Sequence, residues 1–139
     1  MATFNKFDVF TQDLVSGNHQ FGAHTFKVVL TNSAPVATNT VIANITDLST
    51  ANGYTAGGGT TTVSLANATG VEKVTCTDVV TTATGAVGPF RYAVLYNFSQ
   101  SSPVKPLIGW VDYGSSVTLA NGETFTVDFD GTNGVFTVT

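Results

Sequence analysis

Apolar and polar positions alternate most regularly between Gly88 and Gly114, in GPFRYAVLYNFSQSSPVKPLIGWVDYG. Two apolar runs, Phe90–Phe98 and Leu107–Tyr113, flank a polar link with two prolines. In the first, Phe90, Tyr92, Val94 and Tyr96 alternate with Arg91, Ala93, Leu95 and Asn97. In the second, Leu107, Val111 and Tyr113 alternate with Ile108, Trp110 and Asp112. A period of two carried by aromatic and β-branched residues marks strands. Both parities are partly apolar in each run, so the pattern predicts central strands covered on two sides, the middle of a β-sandwich.

Around this centre the alternation predicts further strands at Thr25–Thr31, Thr60–Leu65, Glu72–Thr82, Val117–Ala120, Glu123–Phe129 and Val135–Thr139. Asn121-Gly122 between two of them reads as a hairpin, because a type I′ turn needs positive φ at both positions. Val41–Leu48 is apolar without a clean period and is open to strand or short helix. Ser49–Gly59, with four glycines and an Asn-Gly pair, reads as a mobile loop. Residues 3–16 are the helical candidate: Phe4, Phe7, Phe10 and Leu14 recur at three- and four-residue spacing, with Thr3 to cap the start and Gly17 the end. That phenylalanine stripe either closes one sheet as a lid or docks onto a neighbouring subunit, which makes Phe4, Phe7 and Phe10 the candidate partner contacts. The expected fold is therefore all-β: one antiparallel, jelly-roll-like β-sandwich domain over residues 1–139, of seven or eight strands, with one short N-terminal helix.

Composition adds a surface to this core. Hydrophobic residues make up 42% of the 139 residues, but charged residues only 10%, well below the usual quarter. Thr, Ser, Asn and Gly fill the gap, giving a neutral, hydrogen-bonding exterior that can be covered by protein without desolvating many ions. The net charge is −4, and the five cations are scattered. Nucleic acid and anionic membranes both demand clustered Lys and Arg, so neither is an expected partner. No run reaches membrane-span length and the N-terminus lacks a secretory layout, which places synthesis and folding in a cytosol.

Candidate chemistry is sparse. Cys76 stands alone between two threonines and reads as a small core residue. DFDGTNG, holding Asp128, Asp130 and Asn133, superficially resembles a calcium loop. Its glycine comes two positions early and no distal Glu follows, so it reads as a turn. His19 and His24 lack a third ligand at suitable spacing. No G-x-S-x-G elbow occurs, and nothing singles out a carboxylate pair among Glu72, Glu123 and seven Asp. The N-x-[ST] triplets at Asn44, Asn67 and Asn97 are what chance gives with ten Asn and 33 Ser plus Thr. Trp110 and Tyr113 near Asp112 suit either a sugar-stacking platform or the core, and their apolar strand favours the core. The residues thus point to no catalytic group, no metal and no cofactor, and to a binding or structural module.

Several segments resemble the small virion structural proteins of tailed bacteriophages. They are the opening FNKF, then TFKVVLTNSAPVATNTVIANITDL, ANGYTAGG, GPFRYAVLYN and PLIGWVDYGSSVTLANGETFTVDFDGTNGVFTV, in that order. The resemblance implies a head decoration, or cement, protein. Such a protein is a small β-sandwich on the capsid surface of the virion that clamps neighbouring major capsid protein subunits, without cofactor or catalytic residues. A symmetric shell also favours a homo-oligomer, a dimer ahead of a trimer. Two other roles are kept open. One is a tail or fibre module binding a host receptor or glycan through loop aromatics such as Tyr54. The other is an enzyme whose site the sequence does not reveal.

Overall fold

Alternating apolar residues need a second layer to bury them, and the chain supplies it from its own strands. The computed structural model describes residues 3–139 and is an all-β antiparallel sandwich with one short N-terminal helix. One layer is a five-stranded sheet, in the order β1 (Phe4–Lys6), β8 (Leu107–Leu119), β7 (Val87–Asn97), β2 (Phe26–Thr31) and β3 (Gly59–Thr61). Facing it are a three-stranded sheet, β10 (Phe136–Val138), β5 (Val71–Cys76) and β4 (Val63–Ala68), and a two-stranded one, β6 (Val79–Thr82) with β9 (Thr124–Val127). The chain passes repeatedly from one layer to the other, as in a jelly roll. The count among the described residues is ten because Thr60–Leu65 and Glu72–Thr82 each divide in two and β1 is added, while Leu107–Tyr113 and Val117–Ala120 join in β8.

The main core fills the space between the layers. Phe26, Val28, Leu30, Ala93, Leu95 and Ile108 of the large sheet meet Val74, Cys76, Val79 and Val127 of the smaller ones. The reverse face of the large sheet is covered too. There Val29, Val94, Tyr96 and Leu107 pack with Phe7, and half-buried Val9, Ile42, Ile45 and Trp110 close over them. The two-sided cover expected for β7 and β8 is what their sequence builds. Each fully buried side chain of this size contributes roughly 1.5–3 kcal/mol.

The alternation is not unbroken. Phe90 shares the main core with Ala93 and Leu95, not the reverse face with Val94 and Tyr96. The β7–β8 register shifts between Val87 and Phe90, between Phe90 and Tyr92, and between Leu95 and Tyr96. Such shifts let a strand change parity, as β7 does between Phe90 and Ala93, whereas Val94, Leu95 and Tyr96 keep alternating.

The N-terminal stretch departs further from expectation. Helix α1 spans only Asp8–Val15, and the residues before it form β1, where Phe4 pairs with Val111 and Lys6 with Gly109. Thr3 caps nothing: Phe7 is the N-cap residue, in extended conformation and without a side-chain bond. Gly109 makes room for this strand, since a Cβ there would lie 2.3 Å from the Phe4 ring. The expected end does form. Gly17 takes φ +80°, its N–H donates to the Leu14 carbonyl, and Asn18 N–H donates to that of Asp13.

The turns also differ. Asn121-Gly122 does not join a hairpin: β8 pairs with β7 and β9 with β6. Only Gly122 has positive φ, the pattern of a type II turn, and its N–H is held by the Ala83 carbonyl. The turn carries the chain across the sandwich. The other Asn-Gly pair, Asn52-Gly53, has positive φ at both residues, and Ala51 and Tyr54 exchange backbone hydrogen bonds across it. Thr69-Gly70 does the same work between β4 and β5. Val41–Leu48 resolves to a 3-10 turn at Ile42–Asn44, with the Asn44 Oδ1 accepting from the Thr40 and Val41 N–H groups.

Candidate functional site

The phenylalanine stripe is divided inside the molecule. Phe7 is wholly buried on the reverse face, 4.6 Å from the Trp110 ring, and Phe10 is buried in the main core against His19, Phe21 and Phe136. Phe4, half-buried, packs against the main core from β1. A strand followed by a helix sends Phe4 and Phe10 to the main core and Phe7 to the reverse face, so they are not one surface stripe. Phe7 and Phe10 face the chain's own core, and Phe4 is half-buried.

The glycine-rich loop is pinned, not free. Tyr54 is buried; its hydroxyl donates to Asp47 Oδ1 and accepts the Leu30 N–H at 3.1 Å. That bond occupies Leu30 where β3 no longer runs beside β2. Asp47 Oδ2 accepts the Gly57 N–H at 2.6 Å, and the Tyr96 hydroxyl donates to the Gly57 carbonyl at 2.6 Å. Burial, and then Asp47, push the Tyr54 hydroxyl far above its ordinary value; the same two causes push Tyr96 up to about 12. Both phenols stay neutral donors. Tyr54 is therefore a structural tie, not a glycan-facing aromatic.

His19 and His24 meet at another buried polar knot. Asn97, wholly buried at the end of β7, directs its Nδ2 at the Asn18 carbonyl and at Nδ1 of both imidazoles, His19 at 3.2 Å and His24 at 2.8 Å. Its Oδ1 accepts the Ser99 and Gln100 N–H groups. One amide thus fastens the segment after α1 to the end of β7. Burial lowers His19 to about 4 against the pull of nearby Asp13. Oδ2 of Asp13 and Nε2 of His19 are buried without a hydrogen-bond partner among the described residues. Among those residues no group of three or more His, Cys, Asp or Glu is placed to hold a metal ion. Cys76 is buried, which pushes its thiol up to about 11 and keeps it protonated at neutral pH. In DFDGTNG, Asp130 accepts from the Thr132 and Asn133 N–H groups and from Asn133 Nδ2, which holds its carboxyl below the usual range. This is an Asx turn.

Three features face outward. The first is an apolar cleft of about 170 Å³ between β7, β8 and β9, lined by Phe90, Tyr113 and Phe125 among others. Phe125 stands edge-on to Phe90 at 4.8 Å and to Tyr113 at 5.2 Å, and Tyr113 is 56% exposed. Trp110 lies on the opposite face, against Phe7, so the two do not share a platform. At the rim Arg91 holds Asp112 with two bonds of 2.8 and 3.0 Å, which lowers the Asp112 carboxyl below its ordinary value. The cleft can receive an apolar side chain or a sugar face. The second is Phe98, flanked by the Lys27 and Lys105 ammonium groups at 4.1 and 4.5 Å from its ring centre. The third is the β4–β5 hairpin, whose residues 64–70 are exposed on both faces. Sequence reasoning passed over the last two. The two lysines near this exposed ring come from β2 and from the link before β8, and no local period reveals their meeting.

No helix among the described residues is long and apolar enough to cross a membrane. Compared with known protein families, with curated proteins and with solved structures, the chain matches none.

Proposed function

We propose that this chain is a head decoration protein of a tailed bacteriophage, bound to the outer face of the icosahedral shell and stabilising contacts between major capsid protein subunits. The observation that carries the reading is a sheet covered on both faces, in a chain of which only 10% of the residues are charged. Such a block can be covered by protein at little desolvation cost, and many copies on one shell add avidity to small contacts. The stretches that resemble phage virion proteins, residues 25–48, 51–58, 88–97 and 106–138, supply β2, β7, β8 and the pinned loop. They are the framework of the large sheet. Its place would be the virion, after folding in the host cytoplasm.

The test is to mix the purified protein with empty heads that lack it. Saturable binding at a fixed ratio to the shell subunit, with raised resistance of the heads to heat, is the expected result. Failure to bind intact shells would sink the reading. The cleft at Tyr113 and Phe125 favours a second one, a tail or fibre module that holds a host receptor or glycan. Glycan binding that Tyr113→Ala abolishes would select that alternative.

A further inference from the structure

We propose that the free edge of β4 is where two copies of this chain pair, antiparallel, about a two-fold axis at Leu65. The inference stands apart from the virion reading, because it rests on backbone geometry alone.

Thr77 N–H donates to the Thr62 carbonyl at 3.0 Å, and the β4–β5 register continues from Val63↔Cys76 to Ala68↔Val71. In an antiparallel ladder, directly bonded pairs alternate with unbonded ones. Ser64, Ala66 and Ala68 therefore exchange hydrogen bonds with β5, while Val63, Leu65 and Asn67 turn their N–H and C=O groups outward. Those outward groups take no backbone partner among the described residues. A strand edge in this state is a template for another strand, and proteins that keep such edges single protect them with lysine, proline, a bulge or brevity. VSLANA has no charge and no proline, and its six-residue register with β5 is unbroken. Of the other edge strands among the described residues, β1, β3 and β10 have three residues each and β6 and β9 four, and β1 carries Lys6. β4 is the long, unguarded edge.

Its chemistry selects a second copy as the occupant. About a two-fold axis the central residue meets its own counterpart and its neighbours meet each other's, so a charge at the centre would face itself. β4 has none. Centring the axis on Leu65 sets Leu65 opposite Leu65 and Val63 opposite Asn67. Every outward group then meets an outward group, for roughly six new ladder bonds. The two three-stranded sheets would join as one six-stranded sheet, β10-β5-β4 continued by β4-β5-β10 of the second copy. Leu65, 47% exposed in the single chain, would be covered by its counterpart.

Sedimentation equilibrium of the whole chain across micromolar to sub-millimolar concentration tests the proposal. The expected result is a monomer–dimer equilibrium. Leu65→Pro removes an outward N–H and leaves every bond to β5 in place, and Leu65→Lys sets two like charges against each other. Each should raise the dimer dissociation constant roughly tenfold or more, with an unchanged circular dichroism spectrum. Val36→Lys, at an exposed loop position, should leave the dimer intact. If proline unfolds the chain, the exposed lysine variant decides. A wild-type monomer at every concentration, a trimer, or a dimer indifferent to Leu65→Lys would each overturn the proposal. Those outcomes leave the binding of empty heads to be judged on its own assay.

Discussion

β7 buries both of its faces over most of its length, and β8 does so at residues 107–109, whereas β4 beyond Val63 buries neither. Both regions are antiparallel pairs, so pairing alone does not distinguish them. The difference is what lies above and below. Val94 and Leu95 are adjacent in β7 and occupy opposite cores, each nearly inaccessible to solvent. Leu65 sits between exposed Ser64 and Ala66. Stability is concentrated in the large sheet, and the hairpin is left free to meet something else.

The sharpest way to break the contrast is to remove equal chemistry from each region. Leu95→Ala, which empties a buried position of β7 in the main core, should cost about 2–5 kcal/mol. Leu65→Ala, in dilute protein, should stay within about 0.5 kcal/mol of wild type. Urea denaturation of the pair measures both.

A pH series sharpens it next. Burial holds His19 at about 4 against an ordinary value of 6.5, so between those limits the unfolded chain binds a proton that the folded chain refuses. Stability is full above pH 6.5 and should fall as the pH drops towards about 4, by about 3 kcal/mol at most. Asp13 opposes this shift, His24 adds to it, and the Asn97 amide faces the His19 Nδ1. His19→Gln should flatten that limb of the stability–pH curve, as read from urea midpoints at neutral pH and near pH 4.5. An unchanged slope would count against a buried neutral imidazole.

The pinned loop comes next. Tyr54→Phe leaves the Leu30 N–H and Asp47 Oδ1 without their shared hydroxyl and should cost about 1–3 kcal/mol. Faster hydrogen exchange across residues 47–58 would accompany it, while the amides of β7 and β8 should be unaffected. Uniform acceleration would mean that the loop and the sheet open together.

The sequence makes the central strands legible because their two-sided apolarity is local. Phe90–Asn97 and Leu107–Trp110 declare it residue by residue, and β2 follows from Phe26, Val28 and Leu30. Turn chemistry is less readable. Asn52-Gly53 and Asn121-Gly122 are the same dipeptide, yet only the first has positive φ at both residues. Each is held by its own tertiary contacts, the Gly122 N–H on the Ala83 carbonyl and the Asn52 carbonyl on the Thr84 N–H, which the dipeptide does not announce. Phe4, Phe7 and Phe10 misled for a related reason: their spacing fits a helix, but β8 offers Phe4 a better place. Gly109, a glycine within an apolar strand, was the available sign of that close approach. The partner-facing surfaces were the least legible. The exposed edge of β4 follows from where β5 pairs, and the cleft at Tyr113 from how far β9 stands off β8.

The pairing of β1 with β8 also bears on how the chain matures. Phe4 is translated long before Val111, the residue it must lie beside, and until then Phe7 has no reverse face to enter. The opening segment waits on the ribosome while the middle of the chain is made. Closure of the large sheet is consequently a late step of high contact order, on the slow side of the range for domains of this size.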